Sequence, residues 1–572
     1  MLDTLIRDVQ IVDGTGTPRT AGALGIVEGR LVMEVGPDEP ARNVVDGEGL
    51  IAAPGFVDIH THYDAQLSWD PMATPSMQHG VTTVIGGNCG FGVAPLNPSD
   101  ADYLIRMLEK VEGMPAQSLR DGLSWDWTSF GTWLDRFEGA IALNAGFLVG
   151  HSTLRRAAMG PAAGERPATD RELVAMSEIL HEALDAGALG FSTSRSVTHS
   201  DGDGRPVPSR LSDADELLLL AACLKDHPGT SLEMIPEDVH SFDDATVDLM
   251  VGMSLASGRP LNWNLLVLSS QTPDEHPGLL RASVAARARG ARVVALTLPE
   301  VQRLSVTLAS GFLFDALPGW APVMSLPIPE RIAALQDGRQ VEALRAGAEE
   351  VARSGGVLGR LAHWDDLVVA ETFSPQNRGA EGKRLGEIAV ERRTVPFTSM
   401  LDIAVSDELR TRFIVPGAGE DPESWAIRAE VWRDPHTVIG GSDAGAHLDM
   451  ICGATYSTSL LGNAVRKMGL LSLEQAVHQL TDVPARLYGL RHRGRLLSGW
   501  HADVVLFDET SVGPRPARTR ADLPGGAHRI FAEADGVEKV FVNGVKVLDR
   551  AEYTGRLPGR VMRSGRDTGE PS

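Results

Sequence analysis

Short apolar runs recur through the middle of the chain and alternate with stretches in which apolar residues follow a helical period. The apolar runs predict eight strands, at Phe56–His60, Val81–Gly86, Ala145–His151, Leu189–Ser194, Ser231–Pro236, Leu261–Leu268, Val293–Pro299 and Val438–Asp443. Helices are predicted between several of them, at Glu172–Leu184, Ala214–Lys225 and Leu279–Arg289. Because eight strands with crossover helices are typical of a parallel barrel, the pattern predicts an α/β fold, a distorted (β/α)8 TIM barrel.

Both ends of the chain have a different pattern, with short β-type runs broken by turn residues. Near the start, Leu5–Val12 and Gly25–Val32 are predicted strands, and near the end Val537–Leu548 predicts a hairpin with an Asn-Gly turn. We therefore predict a small β-sandwich domain formed by both chain ends. Two unrelated β-segments are the alternative.

These patterns divide the chain into domains. Residues 1–54 and 489–560 are assigned to the β-domain, and residues 55–324 and 426–488 to the barrel. The interval between the last two predicted strands is the longest, and residues 325–425 predict a helical insertion over the barrel mouth, because long insertions often act as lids or binding elements. Residues 561–572 are expected to form a frayed tail.

The composition is that of a large enzyme. The chain has 572 residues, 43% of them hydrophobic, and a formal net charge of −23, which disfavours nonspecific binding to nucleic acid. Cys89, Cys223 and Cys452 are far apart and indicate no disulfide framework. Neither a signal peptide nor a membrane-spanning run is recognised, so we expect a cytoplasmic protein with a small-molecule substrate and no membrane partner. A homo-oligomer is left open.

The candidate chemistry begins with His60 and His62, which follow a short apolar run after a Pro-Gly turn. Side chains alternate along a strand, so the two imidazoles project from one face and can chelate one divalent metal. Far downstream, Asp443 follows another apolar run, within Gly440–His447. A His-x-His motif early and a Ser-Asp motif late resemble the amidohydrolase superfamily of metal-dependent hydrolases.

A closer resemblance is carried by three segments, Gly55–Gln66, Gly80–Pro95 and Leu148–Arg155. They are similar to the N-acyl-D-amino-acid deacylases, or D-aminoacylases, and the similarity covers most of the chain. The Asn-Cys-Gly motif at Cys89 is distinctive, because most amidohydrolases bridge two metals with a carboxylated lysine.

The resemblance implies that zinc is bound by His60, His62 and Cys89, and that Asp443 orients and deprotonates the attacking water. Such chemistry suits amide hydrolysis, because zinc lowers the pKa of water and a carboxylate can carry its proton to the leaving nitrogen. Imidazole and thiolate ligands favour zinc over calcium or magnesium. For Cys89 alone, an inert buried thiol is the alternative.

The chain departs from the D-aminoacylases at its fifth and sixth predicted strands, where the family has histidines. Here Glu233 stands in place of the first, and Asn262 or Asn264 in place of the second. Glu233 could replace a histidine and hold one metal with His60, His62 and Asp443. The other outcomes are a different metal, manganese or iron, and a catalytically dead site. We expect one tightly bound zinc ion rather than two.

Substrate contacts are expected from the loops after the predicted strands. Arg195 or Arg205 could clamp a carboxylate, with a surface ion pair as the alternative. His151 is a candidate for substrate contact or metal ligation, and a buried structural histidine is the alternative. His447 could contact substrate or orient Asp443.

The sequence therefore predicts a hydrolase acting on carbon–nitrogen bonds other than peptide bonds. It would cleave a linear amide of an N-acyl amino acid or a related N-acyl compound by metal-activated water. Hydrolysis of a cyclic amide or an ester is the alternative within this class. A catalytically inactive protein of the same fold that binds a small molecule or a partner is the alternative from another class.

Overall fold

The computed structural model describes residues 1–353 and 356–571. Ser354 and Gly355, within the predicted insertion, and Ser572, at the end of the predicted tail, lie outside the described residues. The strands are β1 Leu2–Ile11, β2 Thr20–Val27, β3 Arg30–Val32, β4 Ala41–Asp46, β5 Ile51–Pro54, β6 Phe56–Asp58, β7 Val81–Gly86, β8 Asn144–Phe147, β9 Val149–Gly150, β10 Gly190–Ser194, β11 Ser231–Ile235, β12 Leu261–Leu266, β13 Val293–Thr297, β14 Leu304–Val306, β15 Val368–Glu371, β16 Arg412–Val415, β17 Thr437–Ile439, β18 Val504–Phe507, β19 Gly513–Pro514, β20 Arg518–Arg520, β21 Arg529–Phe531, β22 Ala534–Asp535, β23 Val537–Val542, β24 Val545–Asp549 and β25 Glu552–Tyr553.

The helices are α1 Tyr63–Gln66, α2 Ala101–Glu112, α3 Ala116–Gly122, α4 Phe130–Leu134, α5 His151–Met159, α6 Asp170–Asp185, α7 Ala214–Cys223, α8 Asp244–Ser257, α9 Glu275–Ala288, α10 Ala321–Met324, α11 Ile328–Gln336, α12 Gly338–Val351, α13 Gly356–Ala362, α14 Leu385–Arg392, α15 Pro396–Ser406, α16 Pro422–Val431, α17 Tyr456–Ser459, α18 Leu473–Leu480 and α19 Asp482–Leu487. Side-chain caps fix where several of them begin. Thr169 and Glu172 form a capping box at the start of α6, and Asp213 and Asp243 cap α7 and α8. Among residues 1–353 and 356–571, no helix combines the length and the apolar character needed to cross a membrane.

The predicted middle strands are confirmed, and they pair in parallel in two groups. Strands β6, β7 and β8 form one sheet, and β9, β10, β11, β12, β13 and β17 form the other in that order. Only Leu148 separates β8 from β9, and a parallel bridge between Thr61 and Ala444 follows β6 and β17. The carboxyl ends of these strands, where the candidate residues lie, are therefore brought to one side of the fold.

An apolar cluster is built largely from side chains on or beside these strands. Its members include Val57, Ile59, Ile85, Leu148, Leu189, Val294, Leu296 and Val438. The residues that alternate with them face the surrounding helices, as the near-continuous apolar runs require. The ends of several predicted strands differ from the structure, and β6 ends at Asp58, two residues before His60. His151 begins α5 instead of ending a strand, and β17 ends at Ile439, four residues before Asp443.

Both chain ends contribute to one nine-stranded sheet. The sheet has the order β25-β24-β23-β18-β5-β1-β2-β3, and β4 also pairs with β1. The two ends meet where β5 pairs antiparallel with β18, from Ile51 opposite Phe507 to Pro54 opposite Val504. The predicted hairpin is present as β23 and β24, joined at Asn543-Gly544. The alternative of two unrelated β-segments is therefore wrong.

A separate compact unit comprises Val301–Glu420 together with Asp449–Ile451. It begins earlier than the insertion expected at 325–425, and it is not entirely helical, because β14, β16 and β15 form an antiparallel sheet. Its own apolar core includes Phe314, Trp320 and Phe397. A lid function for this unit stays a prediction.

The expectation of a frayed tail is wrong for the described residues up to 571. Thr568 is fully buried and its Oγ1 donates a hydrogen bond to the carbonyl oxygen of Gly229 at 2.6 Å. The backbone N–H of Gly569 donates to the carbonyl oxygen of Gly489 at 2.7 Å. Val561 and Met562 at the start of this segment are also buried in apolar clusters, and the polar contacts of Thr568 and Gly569 leave no apolar pattern in the sequence.

Candidate metal centre and active site

His60 and His62 lie directly beyond β6, and both side chains are buried. The buried Asp58 fixes this turn, because its Oδ1 accepts the backbone N–H groups of His60 at 3.3 Å and of Ser442 at 3.4 Å. The two imidazole rings have centroids 5.5 Å apart. The predicted projection of both rings into one site agrees with this geometry.

Cys89 brings a sulfur atom to the two histidines. Its Sγ lies 3.3 Å from Nε2 of His60 and 3.7 Å from Nε2 of His62. For comparison, tetrahedral zinc with Zn–N and Zn–S distances of ~2.0–2.3 Å would separate its nitrogen and sulfur ligands by about 3.6 Å. The ligand atoms of the three residues lie within 4.8 Å of one another, so this donor set fits zinc.

The loop that carries Cys89 is held by surrounding polar groups. Nδ2 of Asn88 donates to the carbonyl oxygens of Ile85 at 3.0 Å and Thr61 at 3.2 Å. Burial, followed by the nearby carboxylates, raises the pKa of the Cys89 thiol well above its ordinary value. A bound cation would reverse this effect, because metal coordination favours the thiolate.

Asp443 adjoins the two buried histidines, and its own side chain is partly exposed to solvent. Its Oδ1 is 3.1 Å from Nε2 of His62 and 3.8 Å from Nε2 of His60, and its backbone N–H donates to the carbonyl oxygen of His60 at 3.1 Å. One quarter of the side chain is exposed. Loss of hydration opposes ionisation, but the hydrogen bond from His62 and the neighbouring histidines hold the pKa of Asp443 well below its ordinary value. The carboxylate is therefore ionised and accessible, as a proton acceptor must be.

Glu112, at the end of α2, is a site residue that the sequence analysis missed. Its Oε1 lies 3.5 Å from Nδ1 of His62, on the ring edge opposite Asp443. Burial opposes the charge on His62, but the carboxylates of Glu112 and Asp443 outweigh burial and raise the pKa of His62 to about 10. In the sequence, Glu112 follows Leu104 and Leu108 at a spacing of four residues, on the apolar face of the helix. A carboxylate on that face could have indicated a buried site residue.

Glu233 is fully buried beside the Cys89 loop. Its Oε2 accepts the backbone N–H of Cys89 at 2.9 Å, and its Oε1 accepts Nδ2 of Asn264 at 2.5 Å. Burial raises the pKa of Glu233 to about 8, against the lowering effect of these two hydrogen bonds. Within the described part of the chain, neither side-chain polar atom of the buried Asn262 has a protein hydrogen-bond partner.

His151 and Arg195, two expected substrate-binding residues, make contacts within the fold. Nδ1 of His151 lies 2.9 Å from Oγ1 of Thr193, and Nε2 lies 2.8 Å from Oε1 of Glu216. Both ring nitrogens of His151 are thus engaged, which favours the structural alternative. The Arg195 guanidinium donates to the carbonyl oxygen of Ser212 at 3.2 Å and lies 3.6 Å from Glu237. Substrate contact by Arg195 stays a prediction.

His447 is brought next to Asp443, with 3.8 Å between its Nε2 and Oδ2 of Asp443. Its backbone N–H donates to the carbonyl oxygen of Glu112 at 2.5 Å, and about a third of its side chain is exposed. This placement is compatible with both expected roles, contact with substrate and orientation of Asp443.

His199 is the second residue that the sequence analysis missed. Its Nδ1 lies 2.8 Å from Oγ of Ser194, and its ring packs against Phe91 with centroids 5.2 Å apart. Burial, and then the charges of His447 and His62, lower the pKa of His199 to about 4. The imidazole is therefore neutral near pH 7. Its position in a polar loop gave no periodic signal in the sequence.

Comparison with known proteins gives a family match and several relatives. The model of the Amidohydrolase family matches residues 43–548. The chain is 30% identical to an uncharacterised protein of Mycobacterium tuberculosis, over 99% of this chain and 95% of the relative. It is 29% identical to the D-aminoacylase of Alcaligenes xylosoxydans xylosoxydans, over 98% of this chain and 97% of that protein.

Among solved structures, the chain resembles the N-acyl-D-glutamate deacylase of Bordetella bronchiseptica. The TM-score is 0.64 and the identity 26%, over 98% of this chain and 100% of the other. That enzyme was crystallised with zinc and a phosphonate inhibitor that mimics the tetrahedral intermediate of its reaction.

Proposed function

The chain belongs to the amidohydrolase family, and we propose that it hydrolyses a linear amide of an N-acyl amino acid or a related N-acyl compound. In general terms, the protein is a metal-dependent amidohydrolase similar to the D-aminoacylases. Such enzymes are hydrolases of carbon–nitrogen bonds other than peptide bonds. The parallel strand pairings and the likeness to the deacylase structure support the proposal that the fold is a distorted (β/α)8 barrel.

The convergence of His60, His62 and Cys89 carries the proposal. Two imidazoles and one thiol, within 4.8 Å of one another and buried, form a donor set that is typical of zinc sites. Asp443 adjoins this set at His62, with its carboxylate partly exposed. A metal-binding group and a proton acceptor thus meet where the strands end.

A zinc ion bound by His60, His62 and Cys89 would acidify water and polarise the amide carbonyl. Asp443 would accept the proton of the attacking water and pass it to the leaving nitrogen. Glu112 would hold His62 from the opposite ring edge, as carboxylates commonly do for metal-binding histidines. His447 would orient Asp443 or contact the substrate.

The donors favour one tightly bound metal. The oxygens of Glu233 accept hydrogen bonds from Cys89 and Asn264, and an asparagine amide is a poor zinc ligand. Altered donors change the acidity of the water and the position of the attacking oxygen. We therefore propose that simple N-acetyl-D-amino acids are poor substrates and that a larger N-acyl compound is the true one.

The test is a metal count followed by a substrate panel. Protein purified without added metal is analysed for metal content per chain and is then assayed with N-acyl-D- and N-acyl-L-amino acids of increasing acyl length. About one zinc per chain and faster turnover of the larger acyl groups are expected. Two fully occupied zinc ions would refute the single-metal proposal, and fast turnover of N-acetyl-D-amino acids would refute the substrate proposal.

Cyclic amides and esters are added to the same panel to test the alternatives. Turnover of cyclic amides or esters in place of the linear compounds would favour that specificity within the family. Metal binding without turnover of any compound in the panel would favour a binding protein of this fold.

A further inference from the structure

Two consecutive amides of the Cys89 loop are held by neighbouring strands. Ser192 of β10 and Glu233 of β11 are partners in the parallel register, so their side chains project from the same face. Glu233 accepts the backbone N–H of Cys89 at 2.9 Å, and Oγ of Ser192 accepts that of Gly90 at 3.0 Å. Ser192 also donates to the carbonyl oxygen of Gly87 at 2.5 Å. The loop is therefore fastened directly to the sheet.

Cys89 needs such support because of its backbone conformation. Its φ of 59° lies in the left-handed region, which residues with side chains rarely adopt. The loop is also close-packed, because a Cβ added at Gly90 would lie 3.0 Å from the backbone nitrogen of Ser194. If the loop relaxed to an ordinary conformation, Sγ of Cys89 would turn away from His60 and His62.

Glu233 is itself fixed by Asn264 of β12. Each of its carboxylate oxygens accepts one hydrogen bond, from Asn264 or from Cys89. In the described residues, two groups of three or more His, Cys, Asp or Glu side chains have ligand atoms within 4.8 Å of one another, and Glu233 belongs to neither. The carboxyl group is engaged as a hydrogen-bond acceptor.

We propose that Glu233 is a positioning residue that holds the Cys89 loop, so that Sγ meets the metal together with His60 and His62. This inference rests on the proposed metal site. It gives Glu233 a role different from the direct ligation expected from the sequence. Positioning requires an acceptor of the right length, whereas direct ligation requires a carboxylate oxygen.

The test compares Glu233→Gln with Glu233→Leu. A glutamine oxygen can still accept the Cys89 N–H, and its amino group can donate to Oδ1 of Asn264 when that amide is turned over. Leucine fills a similar volume but accepts no hydrogen bond. Metal-free proteins are titrated with Co²⁺, and two quantities are measured: the thiolate-to-cobalt charge-transfer absorption and the Co²⁺ affinity in competition with a chelator.

The positioning role predicts different results for the two variants. Glu233→Gln should keep the absorption and an affinity within about threefold of the unmodified protein, whereas Glu233→Leu should lose the absorption and bind about 10- to 100-fold more weakly. Asn264→Ala, which leaves Glu233 unanchored, should reduce the absorption. Circular dichroism and thermal melting verify that each variant is folded.

Two results would overturn the positioning role. The first is a large loss of affinity in Glu233→Gln with the absorption retained, which assigns Glu233 as a metal ligand and decides the question even where the leucine variant fails to fold. The second is an unchanged absorption and affinity in folded Glu233→Leu. If the unmodified protein itself binds no Co²⁺ or shows no thiolate absorption, the proposed metal site fails instead, and with it the proposed function.

Discussion

Oδ1 of Asp443 lies 3.1 Å from Nε2 of His62, the same nitrogen that lies 3.7 Å from Sγ of Cys89. One imidazole nitrogen therefore faces both the expected proton acceptor and the expected thiolate ligand. Through Nδ1 the same ring faces Glu112 at 3.5 Å. If His60, His62 and Cys89 hold a metal, Asp443 would remain next to His62, where its carboxylate could accept the proton of the attacking water.

The first prediction concerns Asp443. Asp443→Asn keeps an oxygen that can face His62 but removes the basic group, so metal content should be retained while kcat falls by about 10²- to 10⁴-fold. Kinetics on the best N-acyl substrate and metal analysis of the same preparation check this. Asp248→Asn, which alters a surface carboxylate paired with Arg289, is the control and should change neither quantity. Full activity in Asp443→Asn would exclude Asp443 as the proton acceptor.

The second prediction concerns the chelating pair. Replacement of both His60 and His62 by alanine should abolish bound metal and activity, because Cys89 then loses both partners that lie within 3.7 Å of its Sγ. Metal analysis after dialysis against a weak chelator gives the result. His240→Ala removes an exposed histidine and serves as the control. A double variant with its full metal content would show that the metal binds elsewhere.

Sequence patterns were sufficient for the eight middle strands because each of them lies in a short apolar run, whereas β14, β15 and β16 of the expected helical insertion were missed. Phe56–Asp58 and Val81–Gly86 lie within or match the predicted runs, and the hairpin at Asn543-Gly544 follows from its turn residues. The ends of the runs were less certain. His151 was assigned to a strand end, yet it begins α5, since an apolar pattern does not mark the residue at which a strand passes into a helix.

The candidate site was only partly predictable for a similar reason. His60, His62 and Asp443 follow apolar runs and so could be placed at strand ends. Glu112 comes from α2, which packs beside the site, and its contact with His62 spans fifty residues of sequence. For Glu233, the residue type suggested a metal ligand, whereas the hydrogen bond to the backbone of Cys89 depends on three-dimensional geometry.

The third prediction concerns Glu112. Glu112→Gln keeps the size of the side chain but removes the charge beside Nδ1 of His62, so the imidazole becomes a weaker ligand and metal affinity should fall by about 10-fold or more. Chelator competition with Zn²⁺ measures the change. Glu109→Gln, on an exposed position of the same helix, should leave the affinity unchanged. Equal affinities for the two variants would show that Glu112 does not support His62.

The fourth prediction concerns pH and His79, a fully buried histidine that is not among the proposed metal ligands. Its Nδ1 lies 2.7 Å from Oγ1 of Thr458, and its Nε2 lies 3.0 Å from the carbonyl oxygen of Ala532. Burial lowers the pKa of His79 from 6.5 to about 4, although the hydrogen bond to Ala532 opposes the shift. Between these two values the unfolded chain binds a proton that the folded chain does not bind.

The folded state should therefore lose stability as the pH falls from about 6.5 towards 4, by about 1.4 kcal/mol per pH unit from this residue alone. Above pH 7 the effect should be absent, because the histidine is then neutral in both states. His79→Gln removes the titrating group, so its urea midpoint should fall less steeply than that of the unmodified protein. Both are measured without metal between pH 7.5 and 5, and His240→Gln, which alters an exposed histidine, should follow the unmodified protein. Parallel losses of stability in His79→Gln and the unmodified protein would mean that His79 does not couple folding to pH.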